Sequence, residues 1–446
     1  MLELLPIVES LTDVFARGGG GGSGGGGIAL IGYFPAYYTS RYVVRRASDW
    51  AAIVAGSIAG LLVTIPFFFG NIGIAILVGI GAAVGVGAGV KDLHGQIRRR
   101  VQKSKQALNH AAVKDSAWHE PALIQRAQEV FYAYQRDWSN FDVNHMQTYM
   151  EERYHQHAWL MMSALHEMGR RNVVEDPKLT NVQTVDVIDA PNDDEDRFSV
   201  FISATANDKL IDTQTNEVLY TDNSSFDELW WFDRHGNDWN LMRIDQMTAN
   251  LSMSDVPLER FAQQHGMYYS LDWGWLLLPK RGVLFKKSSF KNSDVNNHVI
   301  GNWNGRIVQM YTYRPDKNGP DNHLIAQLTL PKSYGGILIR RKAKGWLLRS
   351  LFDKPRGYQK VSMEWPDFNE RYEVLATDMD KVTSFELLNP KFMADLYDKE
   401  LPFNIEVVDN VVYLYASVEQ MLVSGSIERY TQVLQVLEAS YRELYM

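Results

Sequence analysis

Residues 50–90 read WAAIVAGSIAGLLVTIPFFFGNIGIAILVGIGAAVGVGAGV, a stretch of 41 positions without a charged side chain. A bilayer core about 30 Å thick takes roughly 20 helical residues, so the stretch is long enough for two crossings. Pro66 and Gly70-Asn71 interrupt it near the middle, and the aromatic run beside them suits a turn at the membrane interface. We therefore predict a transmembrane helical hairpin over 49–90, with helices at about 49–68 and 71–90.

Two other interpretations fit this stretch less well. A buried hairpin of a soluble protein would carry a polar stripe on a helix at its surface, and neither half of the stretch has one. A cleaved signal peptide would lie near the amino terminus, whereas this apolar run starts near residue 50.

Basic residues flank the hairpin on both sides. Arg41, Arg45 and Arg46 precede the first helix, and a denser group of cations follows the second. Lys and Arg close to a span are retained on the cytoplasmic side of the membrane. We therefore expect an integral protein of the cytoplasmic membrane, with both termini in the cytoplasm.

Glycines recur at every fourth position in both predicted helices. Small residues at this spacing let helix backbones approach closely in lipid. We favour packing of the two helices on each other, and self-association into a homo-oligomer, such as a small pore or sensor, is the alternative. The helix-packing residues are Gly56 and Gly60 in the first helix and Gly81, Gly85 and Gly89 in the second.

The part of the chain before the hairpin divides into three segments. Residues 1–17 form an amphipathic stub, whose acidic face favours an unidentified protein partner over anionic lipid. Residues 18–27 read GGGGGSGGGG and predict a flexible linker, either natural or an engineered spacer. Residues 28–48 contain Pro35 and several aromatic residues, which predicts a segment at the membrane interface.

A basic juxtamembrane helix is predicted over 91–119. Its cations either act only as the retention signal or bind anionic headgroups, each contributing about 1 kcal/mol. In both cases the segment lies close to the bilayer. The residues expected at the membrane surface are Arg98, Arg99, Arg100, Lys103 and Lys105.

The charge is divided unevenly along the chain. Residues 1–115 carry 11 basic and 6 acidic side chains, whereas residues 116–446 carry 34 basic and 47 acidic ones, within a formal net charge of −8. An acidic body argues against nucleic acid as a partner, because that partner requires a basic face. The chain has no cysteine, which excludes disulfides, thiolate metal sites and cysteine nucleophiles.

Helices followed by alternating strands mark the start of the body. EPALIQRAQEVFYAYQRDWSN has apolar residues at helical spacing, and a second helix is predicted at about 142–171. RFSVFISATA then alternates, and FDELWWFDRHGNDWNLMRI predicts two strands around an HGND turn. This order indicates an α+β fold with an antiparallel sheet.

Several of these motifs resemble the Tim forty-four family, which comprises the mitochondrial import-motor scaffold and its bacterial relatives. They are ALIQRAQEVFYAYQRDWSNFD, the run at 171–176, DRFSVFISATANDKLID and LWWFDRHGNDWNLMRI, and together they cover about 120–250. The resemblance implies a cone-like α+β domain with a curved antiparallel sheet and an apolar pocket. It also implies peripheral binding to anionic membranes and service as a platform for other proteins. The chaperone-binding front half of the mitochondrial protein has no counterpart here.

A second α+β domain is predicted over about 258–420. It contains the strand GGILIRR and the segment FNIEVVDNVVYLYA, which predicts a hairpin around Asp409-Asn410. The runs GYQKVSMEWPDFNERYEVLATD and LLNPKFMADLYD resemble a bacterial domain family of unknown function found in membrane proteins. A final amphipathic helix is predicted over 426–446 and is expected to pack on the body.

Motifs for catalysis or metal binding are weak in this sequence. His155 and His157 are two apart and would face different sides of a helix, so they do not favour one metal ion. The acidic run 193–196 is interpreted as a solvated loop. We expect no cofactor and no enzymatic activity.

The predicted pocket residues are apolar or amphipathic and include no evident carboxylate pair, which favours an acyl chain or a peptide as the ligand. A pocket enzyme or small-molecule binder on the same fold is the alternative. These residues are Tyr134, Trp138, Phe201, Trp230 and Phe232.

Overall fold

A computed structural model describes most of the chain and divides it into two compact units. Unit one comprises Met1–Ile124 with Gln183–Phe201, and unit two comprises Gln125–Val182 with Ile202–Met446. The predicted stub 1–17 and the linker 18–27 lie outside the described residues. The described residues are 33–41, 49–68, 72–90, 93–246, 255–272, 277, 282–285, 290–291, 294–315, 322–342, 354–399, 403–417 and 427–445.

Unit one is mainly helical. Helix α1 spans 33–41, within the segment predicted to lie at the membrane interface. Helices α2, Asp49–Phe68, and α3, Ile72–Val90, follow the predicted pair of apolar helices closely. Helix α4, Leu93–Lys114, and a 3₁₀ turn, Ser116–Trp118, complete the helical part.

Helices α2 and α3 pack on each other. A methyl group at Gly60 would lie 2.6 Å from Cβ of Ala82, so the two backbones approach as closely as small residues allow. Among the described helices, one is long and apolar enough to cross a membrane, over Ile72–Gly89, while the apolar part of α2 is shorter, Ala51–Pro66. The predicted pair of packed apolar helices is therefore observed.

The first half of unit two contains most of an antiparallel sheet, whose residues within Gln183–Phe201 are counted with unit one. Helix α5, Glu120–Asn140, leads through the short α6, Val143–Met146, to α7, Glu152–Glu167. The strands run in the order β1-β2-β4-β5, with β3 paired to β2. They span Arg170–Ile188 (β1), Arg197–Asp212 (β2), Val218–Asp222 (β3), Ser225–His235 (β4) and Asp238–Gln246 (β5).

One helix predicted at about 142–171 is in fact two, α6 and α7. The chain leaves the helical conformation between them because Met150 forms a bridge with Leu241 of β5. Leu241 N donates to the carbonyl oxygen of Tyr149 at 2.8 Å, and Glu151 N donates to the carbonyl oxygen of Leu241 at 2.9 Å. The segment between the helices therefore covers the edge of β5, which would otherwise present unpaired backbone groups.

The second half of unit two is a seven-stranded antiparallel sheet, in the order β10-β11-β9-β8-β7-β6 with β12 paired to β9. Helices α8 (Val256–Gln264), α9 (Pro366–Arg371), α10 (Lys381–Leu387), α11 (Pro390–Asp398) and α12 (Ile427–Tyr445) accompany it. The strands are Tyr268–Asp272 (β6), Val295–Trp303 (β7), Arg306–Tyr313 (β8), His323–Arg341 (β9), Gln359–Val361 (β10), Tyr372–Ala376 (β11) and Phe403–Ser417 (β12).

The hairpin predicted around Asp409-Asn410 is wrong. These residues lie within one continuous strand, β12, that pairs with β9 on both sides of a bulge at Asp409. Asp409 adopts a positive φ of 50°, and Asp and Asn tolerate this conformation, which shifts the register without reversing the chain. The predicted mixture of helices with antiparallel sheets is confirmed.

Apolar side chains from the second sheet and its helices form one core. Val412 and Leu414 of β12, Ile337 of β9, and Val433 and Leu437 of α12 are fully buried within it. Helix α12 thus packs on the body through the apolar face seen in the sequence.

Candidate functional site

The outer surface of α2 and α3 is apolar. Leu62 of α2 is 67% exposed and Ile76 of α3 is 59% exposed, and the chain carries no charged side chain from residue 50 to residue 90. Water-soluble proteins rarely leave so many large aliphatic side chains in contact with solvent. The other exposed aliphatic residues of this surface are Val54, Ile58, Leu61, Ile65, Ile72 and Ile80.

Glycines of α2 and α3 lie where these two helices meet and also where they meet α1. A methyl group at Gly85 would lie 2.3 Å from the carbonyl oxygen of Tyr33, and one at Gly89 would lie 2.6 Å from that of Tyr37. At Gly56 the neighbour is Ser40, whose hydroxyl donates to the carbonyl oxygen of Ala52 at 3.1 Å. Gly81 is buried in α3. The glycines therefore form a surface against which the backbone of α1 packs.

We expect Gly89→Leu to displace α1, because the side chain would meet backbone atoms of Tyr37 and Arg41 that cannot rotate away. The chain has no native cysteine, so Ser40→Cys provides a unique probe at a fully buried position. Maleimide labelling of this cysteine should be slow in the parent and about tenfold or more faster with Gly89→Leu. Gly79→Ala is the control, since its methyl group would make only an ordinary 3.8 Å contact with Thr64. Unchanged labelling with Gly89→Leu would contradict this packing.

The basic residues of α4 have different environments. Arg100 forms a partly buried ion pair with Asp186, with its Nε donating to Oδ1 at 3.2 Å, and Ser199 donates to Oδ2 of the same carboxylate at 2.6 Å. Lys103 and Lys105 are exposed, and Arg98 and Arg99 are half-buried. Arg100 therefore has a structural role within unit one, and the two lysines are the most accessible of the five predicted membrane-surface cations.

Three of the predicted pocket residues come together in unit two. The rings of Tyr134 and Trp138 are stacked with centroids 5.7 Å apart, and Tyr134 meets Trp230 edge-on at 5.5 Å. Phe232 lies two residues beyond Trp230 on the same side of β4 and is fully buried. Phe201 is also buried but belongs to unit one, and strand alternation puts it on the face of β2 opposite to Asp208.

Two carboxyl groups that sequence reasoning missed accompany these rings. Glu228 accepts hydrogen bonds from Trp230 Nε1 at 2.8 Å and from Gln246 Nε2 at 2.5 Å. Asp208 accepts a hydrogen bond from Asn172 Nδ2. Together with Tyr154, Asn172 and the three clustered rings, they form what we call the carboxyl–aromatic cluster: Tyr134, Trp138, Tyr154, Asn172, Asp208, Glu228 and Trp230.

Burial governs the protonation of this cluster. The pKa of Asp208 is raised to about 6, mainly by desolvation and also by the nearby carboxylate of Asp222, against the opposing hydrogen bond from Asn172. Desolvation also raises the pKa of Glu228. The pKa of Tyr134 is raised mainly by desolvation and then by Glu228, while a hydrogen bond from Tyr154 opposes the increase. The cluster thus holds carboxyl groups that are harder to ionise than ordinary ones.

Period-two alternation could have identified Glu228. Glu228, Trp230 and Phe232 share one face of β4, so assigning the two aromatic residues to the interior assigns the carboxyl group with them. Asp208 had no such signal, because its neighbours in ANDKLID are mostly polar.

We expect Asp208→Asn to stabilise the protein at neutral pH. A folded-state pKa of about 6 lies above the ordinary value of 3.8, so the folded state holds its proton more tightly and stability falls as pH rises between about 4 and 6. The amide removes this ionisation and keeps an oxygen for Asn172, which should recover roughly 2–3 kcal/mol at pH 7.5 and little at pH 4. Urea unfolding at both pH values measures the difference. A loss of stability at pH 7.5 would contradict the assignment.

The remaining candidate groups have structural partners. His155 Nε2 lies 2.9 Å from the carbonyl oxygen of Val143, whereas the ring of His157 stacks on Tyr268, so the two histidines face different elements. Asp196, predicted to be solvated, is instead buried and accepts a hydrogen bond from Ala190 N at 2.8 Å. One carboxylate oxygen from each of Asp115, Asp193 and Asp196 lies within 4.8 Å of the other two.

Comparisons with known proteins do not assign a family. No family model matches the chain, and no curated protein matches it. A solved structure, the crystal structure of the mycobacterial trehalose monomycolate transport factor A, TtfA, is similar with a TM-score of 0.33 and 14% sequence identity. The similar region covers 42% of this chain and 93% of that chain. A likeness at this level does not extend to function.

Proposed function

We propose that this protein is a membrane-anchored, non-enzymatic scaffold or adaptor, held in the bilayer by α2 and α3. The observation that supports the anchor is the exposed aliphatic surface of this helix pair, which includes Leu62 and Ile76. In water this surface would be unfavourable by roughly 25 cal/mol per Å² of apolar area, and contact with lipid tails removes that cost. Both helices are about as long as the bilayer core is thick.

The cationic residues that follow α3 favour an orientation with both ends of the pair in the cytoplasm. Lys103 and Lys105 are exposed and can contact anionic headgroups, which contribute about 1 kcal/mol per cation. We propose that the acidic unit two then presents a binding surface to protein clients at the cytoplasmic face, in protein translocation or the assembly of membrane proteins. The resemblance to the Tim forty-four family motivates this role.

A small-molecule binder or pocket enzyme is the second candidate. The observation in its favour is the carboxyl–aromatic cluster, because buried acids with raised pKa values occur at functional sites more often than elsewhere. A screen of turnover with Glu228→Gln as the inactive control would test this candidate. Substrate conversion that this substitution abolishes would replace the scaffold with an enzyme.

Alkaline carbonate extraction tests the anchor. The full-length chain should stay in the membrane pellet, whereas a peripheral protein is released when the high pH disrupts ionic contacts. Recovery in the supernatant would overturn the proposal. Proteolysis of inverted vesicles then reports the orientation, and protection of unit two in those vesicles would contradict the cytoplasmic assignment.

A further inference from the structure

An apolar ridge lies on the surface of the second half of unit two. Met379 is 73% exposed, Val382 71% and Phe385 47%, at intervals of three residues along α10 and the turn before it. Among the described residues of this half, Val256 is the only other large hydrophobic side chain that is exposed. Single exposed apolar residues are ordinary, whereas three on one short segment indicate a contact surface.

The segment that carries the ridge is fixed on its inner side. Asp380, which is 3% exposed, accepts hydrogen bonds from Gly336 N at 2.7 Å and from the Thr377 hydroxyl at 2.6 Å. Ser384 and Leu387, on the inner side of α10, are fully buried. A rotation of α10 that hid the ridge would expose these side chains and break these hydrogen bonds. The apolar side chains therefore project from a rigid support.

Basic side chains border the ridge. Lys381 Nζ donates to Gln359 Oε1 at 2.6 Å, so the edge strand β10 lies beside α10. Lys360 follows Gln359 and is exposed. Lys354 and Arg356 are exposed in the turn that leads into β10. These cations form a border along one side of the ridge.

Exposed carboxylates are fewer than cations beside the ridge. The segments 354–360 and 378–387 contain four basic side chains that are at least partly exposed, and two exposed carboxylates, Asp378 and Glu386. Asp378 already pairs with Lys381 at 2.8 Å. This local excess of positive charge contrasts with the acidic body of the chain. An anionic surface complements it.

The exposure of the ridge favours a bilayer over a protein client. Met379 and Val382 are each more than 70% exposed, so few protein atoms surround them and they do not line a groove. Client helices bind in grooves and client strands bind along sheet edges. A bilayer takes up projecting apolar side chains at its headgroup boundary, while neighbouring cations contact the anionic lipids.

We propose that the ridge of Met379, Val382 and Phe385 inserts into the interface of an anionic phospholipid bilayer, with the bordering cations on the headgroups. This contact is peripheral, and it does not depend on the proposed insertion of α2 and α3. Because it combines apolar insertion with charge, it should be stronger on anionic than on zwitterionic bilayers. It would hold the second half of unit two at a bilayer surface.

Site-specific fluorescence on the full-length chain in lipid vesicles tests the proposal. The chain has no native cysteine, so Val382→Cys labelled with a nitrobenzoxadiazole probe reports on the ridge alone. In vesicles of phosphatidylcholine and phosphatidylglycerol, its emission should shift to the blue and should be quenched by lipids with spin-labelled acyl chains. Val256→Cys is the matched control, because Val256 is 53% exposed in the same half of unit two, outside the ridge.

Charge reversal gives a second readout. Arg356→Glu combined with Lys360→Glu should reduce quenching of the Val382→Cys probe about threefold or more, because the cations no longer attract anionic headgroups. Vesicles of phosphatidylcholine alone should reduce it similarly. Both basic residues are exposed, so their substitution should leave the fold unchanged.

Three results would overturn the proposal. The first is quenching at Val382→Cys no greater than at Val256→Cys. The second is equal quenching in vesicles with and without phosphatidylglycerol. The third is cross-linking of Val382→Cys into dimers by a short bismaleimide without quenching by lipid, which would assign the ridge to a second copy of the chain. A chain that alkaline carbonate releases can still show this quenching, so failure of the anchor and failure of the ridge are separate results.

Discussion

Replacing Leu62 and Ile76 together by Lys is expected to move most of the protein from the membrane pellet to the carbonate supernatant. On insertion scales a Lys costs about 2.5–3.5 kcal/mol at the centre of a span and less towards its ends. Leu62 and Ile76 lie within about five residues of the centres of α2 and α3, so the pair should cost roughly 3–6 kcal/mol. Both residues are more than half exposed on α2 and α3, so the substitutions remove little internal packing of unit one. The measurement is the fraction recovered in the pellet, relative to the parent chain.

The direction of this change distinguishes a helix pair that faces lipid from one that faces water. On a water-exposed surface, lysine in place of exposed Leu and Ile would leave the protein unchanged or more soluble. Val113→Lys is the matched control, because Val113 is 86% exposed on α4, outside the apolar pair. A double variant that remains in the pellet as completely as Val113→Lys would argue that these side chains do not face lipid.

We expect Asp255→Ala to destabilise unit two by about 3–5 kcal/mol. Asp255 precedes α8, and its Oδ1 accepts hydrogen bonds from Leu258 N at 3.1 Å and from the hydroxyl of Tyr430 at 3.2 Å. Its Oδ2 pairs with the Arg314 guanidinium at 3.3 Å, and both side chains are largely buried. The substitution removes the helix cap and leaves a buried guanidinium without its carboxylate. Urea unfolding followed by tryptophan fluorescence measures the loss.

Asp378→Ala provides the comparison for Asp255→Ala. Asp378 is 73% exposed and pairs with Lys381 three residues along the chain, an arrangement that contributes about 0–1 kcal/mol. Asp255→Asn should fall between the two, because the amide keeps the cap and loses the charge. Similar losses for Asp255→Ala and Asp378→Ala would mean that burial of the Asp255–Arg314 pair does not matter to stability.

Sequence periodicity predicts most of the local structure. The uncharged run predicts α2 and α3 to within about two residues, and the apolar stripe of the last segment predicts α12, Ile427–Tyr445. Alternation indicates β2, β4 and β5, and the HGND turn is observed with Gly236 at a positive φ of 62°. These signals are local, so they can be recognised without knowledge of the partner elements.

The errors come from tertiary contacts that periodicity does not contain. The break between α6 and α7 depends on pairing with Leu241, about 90 residues away in sequence, and the bulge at Asp409 depends on pairing with β9. The position of Arg100 in a pair with Asp186 likewise requires two distant segments to meet. The run of basic residues therefore identifies a positively charged segment. It does not show which of these side chains are exposed.

The sequence grouped five residues as pocket-lining, and their role in binding a ligand stays a prediction. Three of these residues, Tyr134, Trp138 and Trp230, bring their rings together in the structure. The carboxyl groups of Asp208 and Glu228 were absent from the prediction, which treated the interior as wholly apolar. Acidic side chains usually lie on the protein surface, so the sequence alone did not suggest that these two are buried. Their burial, seen in the structure, marks them as candidates for a specific role.

Helix α7 contacts both sheets of unit two. On one side Tyr154 forms a hydrogen bond with the backbone of Ile244 in β5. On the other side, His157 stacks on Tyr268 of β6 with centroids 4.9 Å apart, and Gln156 accepts a hydrogen bond from the Tyr268 hydroxyl at 3.0 Å. A fragment of the chain that contained only one of the two sheets would leave one side of α7 without its packing partners. Exchanging either half for a foreign module would therefore require the corresponding side of α7 to be redesigned.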